Sequence, residues 1–295
     1  MNVTFLGATR EVTGSMHMIS TQDDRILLDC GMYQGRRKET RVKNQSFAFD
    51  PRLISNMVLS HPHIDHSGRI PFLVKKSFNG RIISTNAGKD ACEYLLLDSA
   101  HIQESDAAYL NYKTARGALS KTQHTNKEKR DIQKALKKNG HRLDVEAIER
   151  VMDEYRLDKV EPLYTSKEAN QALSQFEGIP YMQPVEIGKN LTCTLYDAGH
   201  ILGSAIIIVR YKPGKKTFTV CFTGDIGRFG KPIINDPTLK FNEEDRNIDL
   251  MVMESTYGNR FHEPTGDIKA HLKEVLQRAI SREGAILIPA FAYGR

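Results

Sequence analysis

A chain of 295 residues, 40% apolar and 26% charged, is long enough and apolar enough to bury a sizeable core and is too balanced in composition for a disordered tract. No apolar run approaches the ~20 residues that span a bilayer, the amino terminus lacks a basic region followed by an apolar core, and the four cysteines form no C-x-x-C pair; a soluble protein of a reducing, cytoplasmic setting is expected, without zinc ribbon or disulfide framework. The net charge of +6 is local, because between Lys113 and Arg142 ten Lys or Arg stand against only Glu128 and Asp131, a stretch that is either a solvated helical face or a patch that attracts a polyanion.

Short β-branched runs bounded by turn residues, NVTFLGA, SMHMIST, RILLDCG, NMVLSH and RIIST, predict strands through the first part of the chain. Over 86–111, with Asn86 as cap, Ala91, Tyr94 and Leu95 fall at helical spacing and predict a long helix. The basic segment predicts a helical hairpin over 113–160, inserted into the surrounding fold: Ile132, Ala135 and Leu136 share one face, Asn139-Gly140 supplies a stop, and Asp144 caps a second helix bearing Val145, Ile148, Val151, Met152 and Tyr155. Thr165 and Glu168 form a capping box for another helix. Strands resume with LTCTLYDAGH, AIIIVRY, TFTVCFTGD and LMVMEST, followed by a helix over 267–281 and a closing apolar strand, GAILIPAFAYGR. This order predicts an α/β sandwich of two mixed sheets flanked by helices. The closing run has no following element to pair with, so the chain is expected to stop inside a second domain.

The stretch SHPHIDHSG packs His61, His63, Asp65 and His66 into six positions. His61 and His63 alternate at a strand end and so lean the same way, while Asp65 and His66 follow a turn and reach a second point nearby. Imidazole with carboxylate and no thiolate suits Zn²⁺ with an open catalytic position. His200 in DAGHILGS and Asp225 in FTGDIGR sit in similar glycine-flanked turns after strands. On this reading His61, His63 and His200 take one metal, Asp65 and His66 the other, and Asp225 bridges them, with two zincs ~3.5–4 Å apart holding a hydroxide for in-line attack on a phosphate. Asp29 is either an acceptor that orients a ligand histidine or an ordinary strand-end cap.

HPHIDHSG, GHILGS and FTGDIGR resemble the metallo-β-lactamase superfamily, and LGATREVTGS, MESTYGNR and PAFAYGR narrow the resemblance to the β-CASP group of RNA- and DNA-processing nucleases, which includes ribonuclease J and the cleavage and polyadenylation endonuclease. The resemblance implies an αββα sandwich over 1–255, with 113–160 as a basic helical insertion, and the start of a β-CASP domain over 256–295. It implies that His61, His63, Asp65, His66, His200 and Asp225 are two-zinc ligands, that Asp65 helps to orient the nucleophile, and that Glu254 is the acid that holds a late histidine acting on the leaving oxygen. No histidine follows His271, so the second zinc site is expected to be incomplete and this chain a poor nuclease. Arg260 and Arg295, each closing a family motif, either meet phosphates or brace the domain junction; Lys121, Lys127 and Arg130 of the basic segment are further candidate nucleic-acid contacts. His17 and His101 are read as structural, His262 and His271 as surface residues. The expected function is zinc-dependent cleavage of RNA phosphodiester bonds, single-stranded RNA before duplex, with no membrane partner and room for a homodimer. The alternatives are hydrolysis of a small ester or thioester on the same fold, and a non-catalytic RNA-binding role.

Overall fold

The computed structural model describes residues 1–121, 125, 127, 130, 134–138, 142–261, 268–291 and 293. Two mixed sheets form the sandwich. The first runs Asn2–Phe5, His17–Ser20, Arg25–Leu28, Asn56–Val58, Ile82–Thr85, Phe176–Ile179, antiparallel over its first three strands and parallel from Arg25–Leu28 onward. The second runs Leu250–Val252, Phe218–Phe222, Ala205–Tyr211, Leu191–Asp197, Val185–Gly188, with a parallel pairing only at Leu250–Val252. The expected α/β sandwich is borne out.

Strand periodicity divides the core. Ile26 and Leu28 face inward and meet Leu195, Ile207, Val209, Val220 and Phe222 of the opposite sheet. Leu27, between them, turns outward with Met57 and Ile82 beneath Ile70, Leu73, Cys92 and Leu96 of the covering helices. All four cysteines are buried and free. Among the described residues no helix is long and apolar enough to cross a membrane.

Several local expectations are corrected. Asn86 is the first residue of its helix, and the cap is Thr85, whose Oγ1 accepts from the Gly88 N–H at 2.9 Å, so strand passes into helix without a loop. That helix runs from Asn86 to Lys121, because Tyr112, Ala115 and Leu119 continue its apolar face into the basic segment and find partners there. The expected first hairpin helix is replaced at its end by a short ladder of Lys137–Lys138 with Arg142–Leu143; Ile132 and the Asn139-Gly140 stop lie outside the described residues. Asp144 does cap Val145–Glu154, accepting from the Ala147 N–H at 3.1 Å. The strands Phe176–Ile179 and Val185–Gly188 lack a clear alternating pattern, since glycine interrupts one and ends the other. The closing apolar run is not a strand: residues 285–291 pair with neither sheet and are exposed through Phe291. An apolar sequence becomes a strand only where a neighbour supplies a hydrogen-bonding edge, and Pro289 removes one of its donors.

The basic segment is a separate knob. Its own apolar cluster joins Tyr112, Ala115 and Leu119 to Leu136, Ile148, Val151 and Met152. Asn111 pins its neck, donating to the Val160 carbonyl at 3.0 Å and accepting from the Val160 N–H at 2.8 Å. Replacing residues 112–159 by a short glycine-serine linker is therefore expected to leave the two-sheet core folded, with circular dichroism and a single cooperative melt as the check; loss of the cooperative transition would show that the knob is part of the sandwich.

Candidate metal centre

Parallel strands end at one edge of a sheet, and the loops leaving those ends converge there. Arg25–Leu28 is followed by Asp29, and Asn56–Val58 is followed by Ser60, His61 and His63. Asp65 and His66 lie on the one-turn helix Ile64–Ser67. From the second sheet, the turn between Leu191–Asp197 and Ala205–Tyr211 brings in His200, and the loop after Phe218–Phe222 brings in Asp225.

These loops approach more closely than side chains at two positions would allow. A Cβ on Gly31 would lie 1.7 Å from the Asp65 carbonyl oxygen, and one on Gly227 would lie 1.6 Å from that of Gly199. Backbone hydrogen bonds accompany both approaches: Cys30 N–H to His66 O at 2.8 Å, Ser15 N–H to Asp65 O at 2.8 Å, and Gly227 N–H to Ala198 O at 2.8 Å. Arg69, wholly buried, binds the Gly31, Lys43 and Ser46 carbonyls and stacks against Tyr33 and Phe47. Sequence reasoning assigns no role to Gly31, Arg69, Ser15 or Ser60; the signals are that RILLDCG ends on Gly31, LGATREVTGS ends on Ser15, and SHPHIDHSG begins with Ser60 and is followed by Arg69.

One donor atom each from His61, His63, His200 and Asp225 lies within 4.8 Å of all the others, a group that could hold a metal ion. Asp225 faces two ways: its Oδ2 is 3.7 Å from His61 Nε2 and 3.6 Å from His200 Nε2, while its Oδ1 is 3.3 Å from His66 Nε2. Asp65 Oδ2 stands 3.9 Å from the same His66 nitrogen. All six sequence-chosen residues thus meet in one place, as two groups sharing Asp225.

The hydrogen bonds behind the histidines decide which nitrogen faces the centre. Asp29, fully buried at a left-handed φ of 58°, accepts from the Ser60 N–H at 2.8 Å, Ser60 Oγ at 2.8 Å, Ser15 Oγ at 3.0 Å and His66 Nδ1 at 2.7 Å. Aspartate tolerates this backbone region better than most residues. Having given its proton to Asp29, the Ser60 hydroxyl can only accept from His61 Nδ1, 3.1 Å away. His61 Nε2 is then a bare lone pair, and it and His63 Nε2 are both buried without a hydrogen-bond partner among the described residues. Orphaned ring nitrogens beside a carboxylate are what a cation would satisfy.

Charge follows the same division. Burial, reinforced by the neighbouring His66, His200 and His63, holds His61 well below the ordinary imidazole range. Burial likewise lowers His63, and lowers His200 to about 4. Burial would lower His66 too, but the Asp29 and Asp225 carboxylates outweigh it and raise that ring to about 10. Burial raises the Asp65 carboxyl. Burial acts upward on Asp225 as well, but its hydrogen bond and attraction to His66 bring it below the ordinary carboxylate range.

Glu254 does not reach the histidines. Its Oε1 accepts from the Ile226 N–H at 2.7 Å and so braces the loop carrying Asp225. Arg260 is exposed, its guanidinium 4.5 Å above the Tyr257 ring. Lys127 and Arg130 are exposed on the knob; the Lys121 side chain, His262 and Arg295 lie outside the described residues. The closing segment does reach the centre: Phe291 lies 5.9 Å from the His63 ring and Tyr293 OH donates to the Leu202 carbonyl at 2.9 Å.

Residues 9–115 match the metallo-beta-lactamase superfamily. The whole chain is 30% identical to a ribonuclease of Thermus thermophilus, of which it covers 53%. It is 28% identical over its full length to the transcription termination factor FttA of Methanosarcina mazei, covering 38% of that protein. Over 98% of its length it is 25% identical to the endoribonuclease ysh1 of Schizosaccharomyces pombe, covering 30% of it. The chain spans about half the length of the Thermus relative and less of the other two.

The buried pair sets the pH response of the metal-free protein. His66, raised in the folded state, contributes stability that is complete below its unfolded value of ~6.5 and is lost as pH rises through about 10. His200 folds neutral, so stability falls as pH drops from ~6.5 toward about 4. Denaturation midpoints of the chelator-treated chain are expected to peak near neutrality, and Asp29→Asn to flatten the alkaline limb. Asp29→Ala, which strands a buried charged partner, is expected to cost about 3–5 kcal/mol at pH 7.

Proposed function

Because residues 9–115 match the metallo-β-lactamase superfamily and the chain resembles ribonucleases over 98% of its length or more, we propose that it is a zinc-dependent β-CASP ribonuclease that cleaves phosphodiester bonds in single-stranded RNA. The observation that carries this reading is the convergence of four donor atoms within 4.8 Å around unpartnered histidine nitrogens, beside a second group built on His66 and Asp65.

In this reading His61, His63, His200 and Asp225 would hold one zinc, and Asp65, His66 and Asp225 would hold a second. When bound, the metals activate water and neutralise the charge that grows on the phosphate during in-line displacement. The chain's own residues arrange the rest. Asp29 fixes the His66 ring through Nδ1, and Ser60 fixes that of His61, so each presents Nε2 without rotameric search. Asp65 is read as the acceptor of a hydrogen bond from the attacking water. Glu254 keeps Asp225 in position through Ile226, and it is read as the match to the β-CASP acid. Residues 256–295 are read as the opening of the β-CASP domain. The knob supplies a detached set of exposed cations, Lys113, Arg116, Lys127, Arg130, Lys134, Lys138 and Arg142, which attract the RNA backbone and release its counterions.

Elemental analysis is expected to find zinc held firmly at the first position and weakly at the second, less in His63→Ala, with only slow RNA cleavage, which chelation removes, zinc restores and His63→Ala abolishes. Asp29→Asn is expected to weaken zinc binding by about 10–100-fold while leaving every ligand in place. Replacing the knob is expected to weaken RNA binding and to lower its salt dependence by about 0.7 in the log–log slope for every phosphate that is no longer neutralised; an unchanged slope would mark the knob's cations as merely solvated. Cleavage that persists in His63→Ala would overturn the metal assignment.

A further inference from the structure

The turn that brings in His200 is held from three sides. It leaves one strand at Asp197 and enters the next at Ala205, two residues that face each other in register. From within, Ser204 Oγ accepts from the His200 N–H at 3.1 Å and from the Ile201 N–H at 3.3 Å, and the Ala198 N–H donates to the Ser204 carbonyl at 3.1 Å. On the side of the histidine-rich turn, the Ala205 N–H donates to the Ser60 carbonyl at 2.8 Å. The third side is the loop over 226–238, which follows Asp225.

Asp197 joins the turn to that loop. Its Oδ1 accepts from the Gly199 N–H at 2.8 Å, an Asx turn that ends on the residue before His200, and its Oδ2 accepts from Asn235 Nδ2 at 3.2 Å. Its carbonyl takes the Thr238 N–H at 2.9 Å. Gly199 stands at a left-handed φ of 61°, and a Cβ there would lie 2.7 Å from Pro237 Cδ and 2.8 Å from the Asn235 carbonyl oxygen, so turn and loop are in backbone contact next to the ligand. Lys231, on the same loop, brings its Nζ to 3.5 Å from the His200 carbonyl. The loop is thus gripped at both ends, at Ile226 by Glu254 and at Asn235 and Thr238 by Asp197.

His200 and Asp225 both belong to the first group of donors, with His200 Nε2 3.6 Å from Asp225 Oδ2 and 3.3 Å from His63 Nδ1. One is carried by the turn that Asp197 closes, the other by the start of the loop that Asp197 holds. We propose that Asp197 is a positioning residue for the first metal, latching the His200 turn to the loop after Asp225 and so setting the span between two donors. Asp29 and Ser60 fix rings, whereas Asp197 fixes the backbone from which a ring projects. This role rests on the reading of a metal at His61, His63, His200 and Asp225.

The test is the zinc affinity of the full chain, measured by competition with a chromophoric chelator, for Asp197→Ala and Asp197→Asn alone and for Asp197→Ala beside His200→Ala. Asp197→Ala is expected to weaken zinc at the first position by about 10–100-fold. Asp197→Asn is expected to recover all but about threefold of that loss, because its amide oxygen still accepts from Gly199 and the Asn235 amide can turn over to accept from its nitrogen. With His200 already replaced by alanine, Asp197→Ala is expected to change the affinity no further, since the ligand it positions is gone. Unchanged zinc affinity in Asp197→Ala would overturn the positioning role and leave the metal site standing. A loss in Asp197→Asn as large as in Asp197→Ala would overturn it too, by marking the carboxylate as acting through its charge. Equal losses with and without His200 would do the same, by marking a general weakening of the fold. A wild type that binds no zinc would overturn the metal reading and this role with it.

Discussion

A carboxylate with no exposure to solvent, Asp29, holds this site together. Removing a charge from water is costly unless hydrogen bonds and an opposite charge replace the lost hydration, and Asp29 obtains both from four directions, through Ser15, the backbone and hydroxyl of Ser60, and the ring of His66. These partners sit on different loop ends. Satisfying one buried charge therefore fixes the relative positions of the β-hairpin at the amino terminus, the end of the third strand, and the histidine-rich turn.

The consequence reaches the chemistry through proton placement. Ser60 can donate only once, and its donation to Asp29 leaves it an acceptor toward His61. The buried anion thus fixes the ring of His66 directly and sets the tautomer of His61 through a hydroxyl. The result is an array of imidazoles whose outward nitrogens face Asp225, with three rings kept neutral by burial and one kept charged by its carboxylates. His66 Nε2 is paired with Asp225 in the metal-free chain, so among the described residues the ring nitrogens of the centre left without a hydrogen-bond partner are those of His61 and His63.

The surroundings are built to a different rule. The core of the sandwich is apolar and closed, whereas the knob beyond Asn111 carries its own small core and a dense set of exposed cations. Exposed positive charge and the histidine centre thereby lie on separate parts of the chain.

The amino-acid sequence by itself determined the chemistry and most of the frame. Four ligand-type residues in six positions, with His200 and Asp225 in glycine-flanked turns, are informative because donor type and local turn are properties of short segments. Alternating runs such as RILLD and AIIIVRY were legible as strands for the same reason, and Asp144 as a cap. What only the tertiary structure decided depends on residues far apart in the chain: that Asp29 is a buried hub and no ordinary turn cap, that Thr85 caps the long helix, that FEGI is a strand while the more apolar AILIPA pairs with neither sheet, and that Asp197 bonds to both the His200 turn and the loop after Asp225. A strand exists only with a neighbouring edge, and a buried charge or an idle nitrogen is defined only by what surrounds it. Neither is a property of any segment read alone.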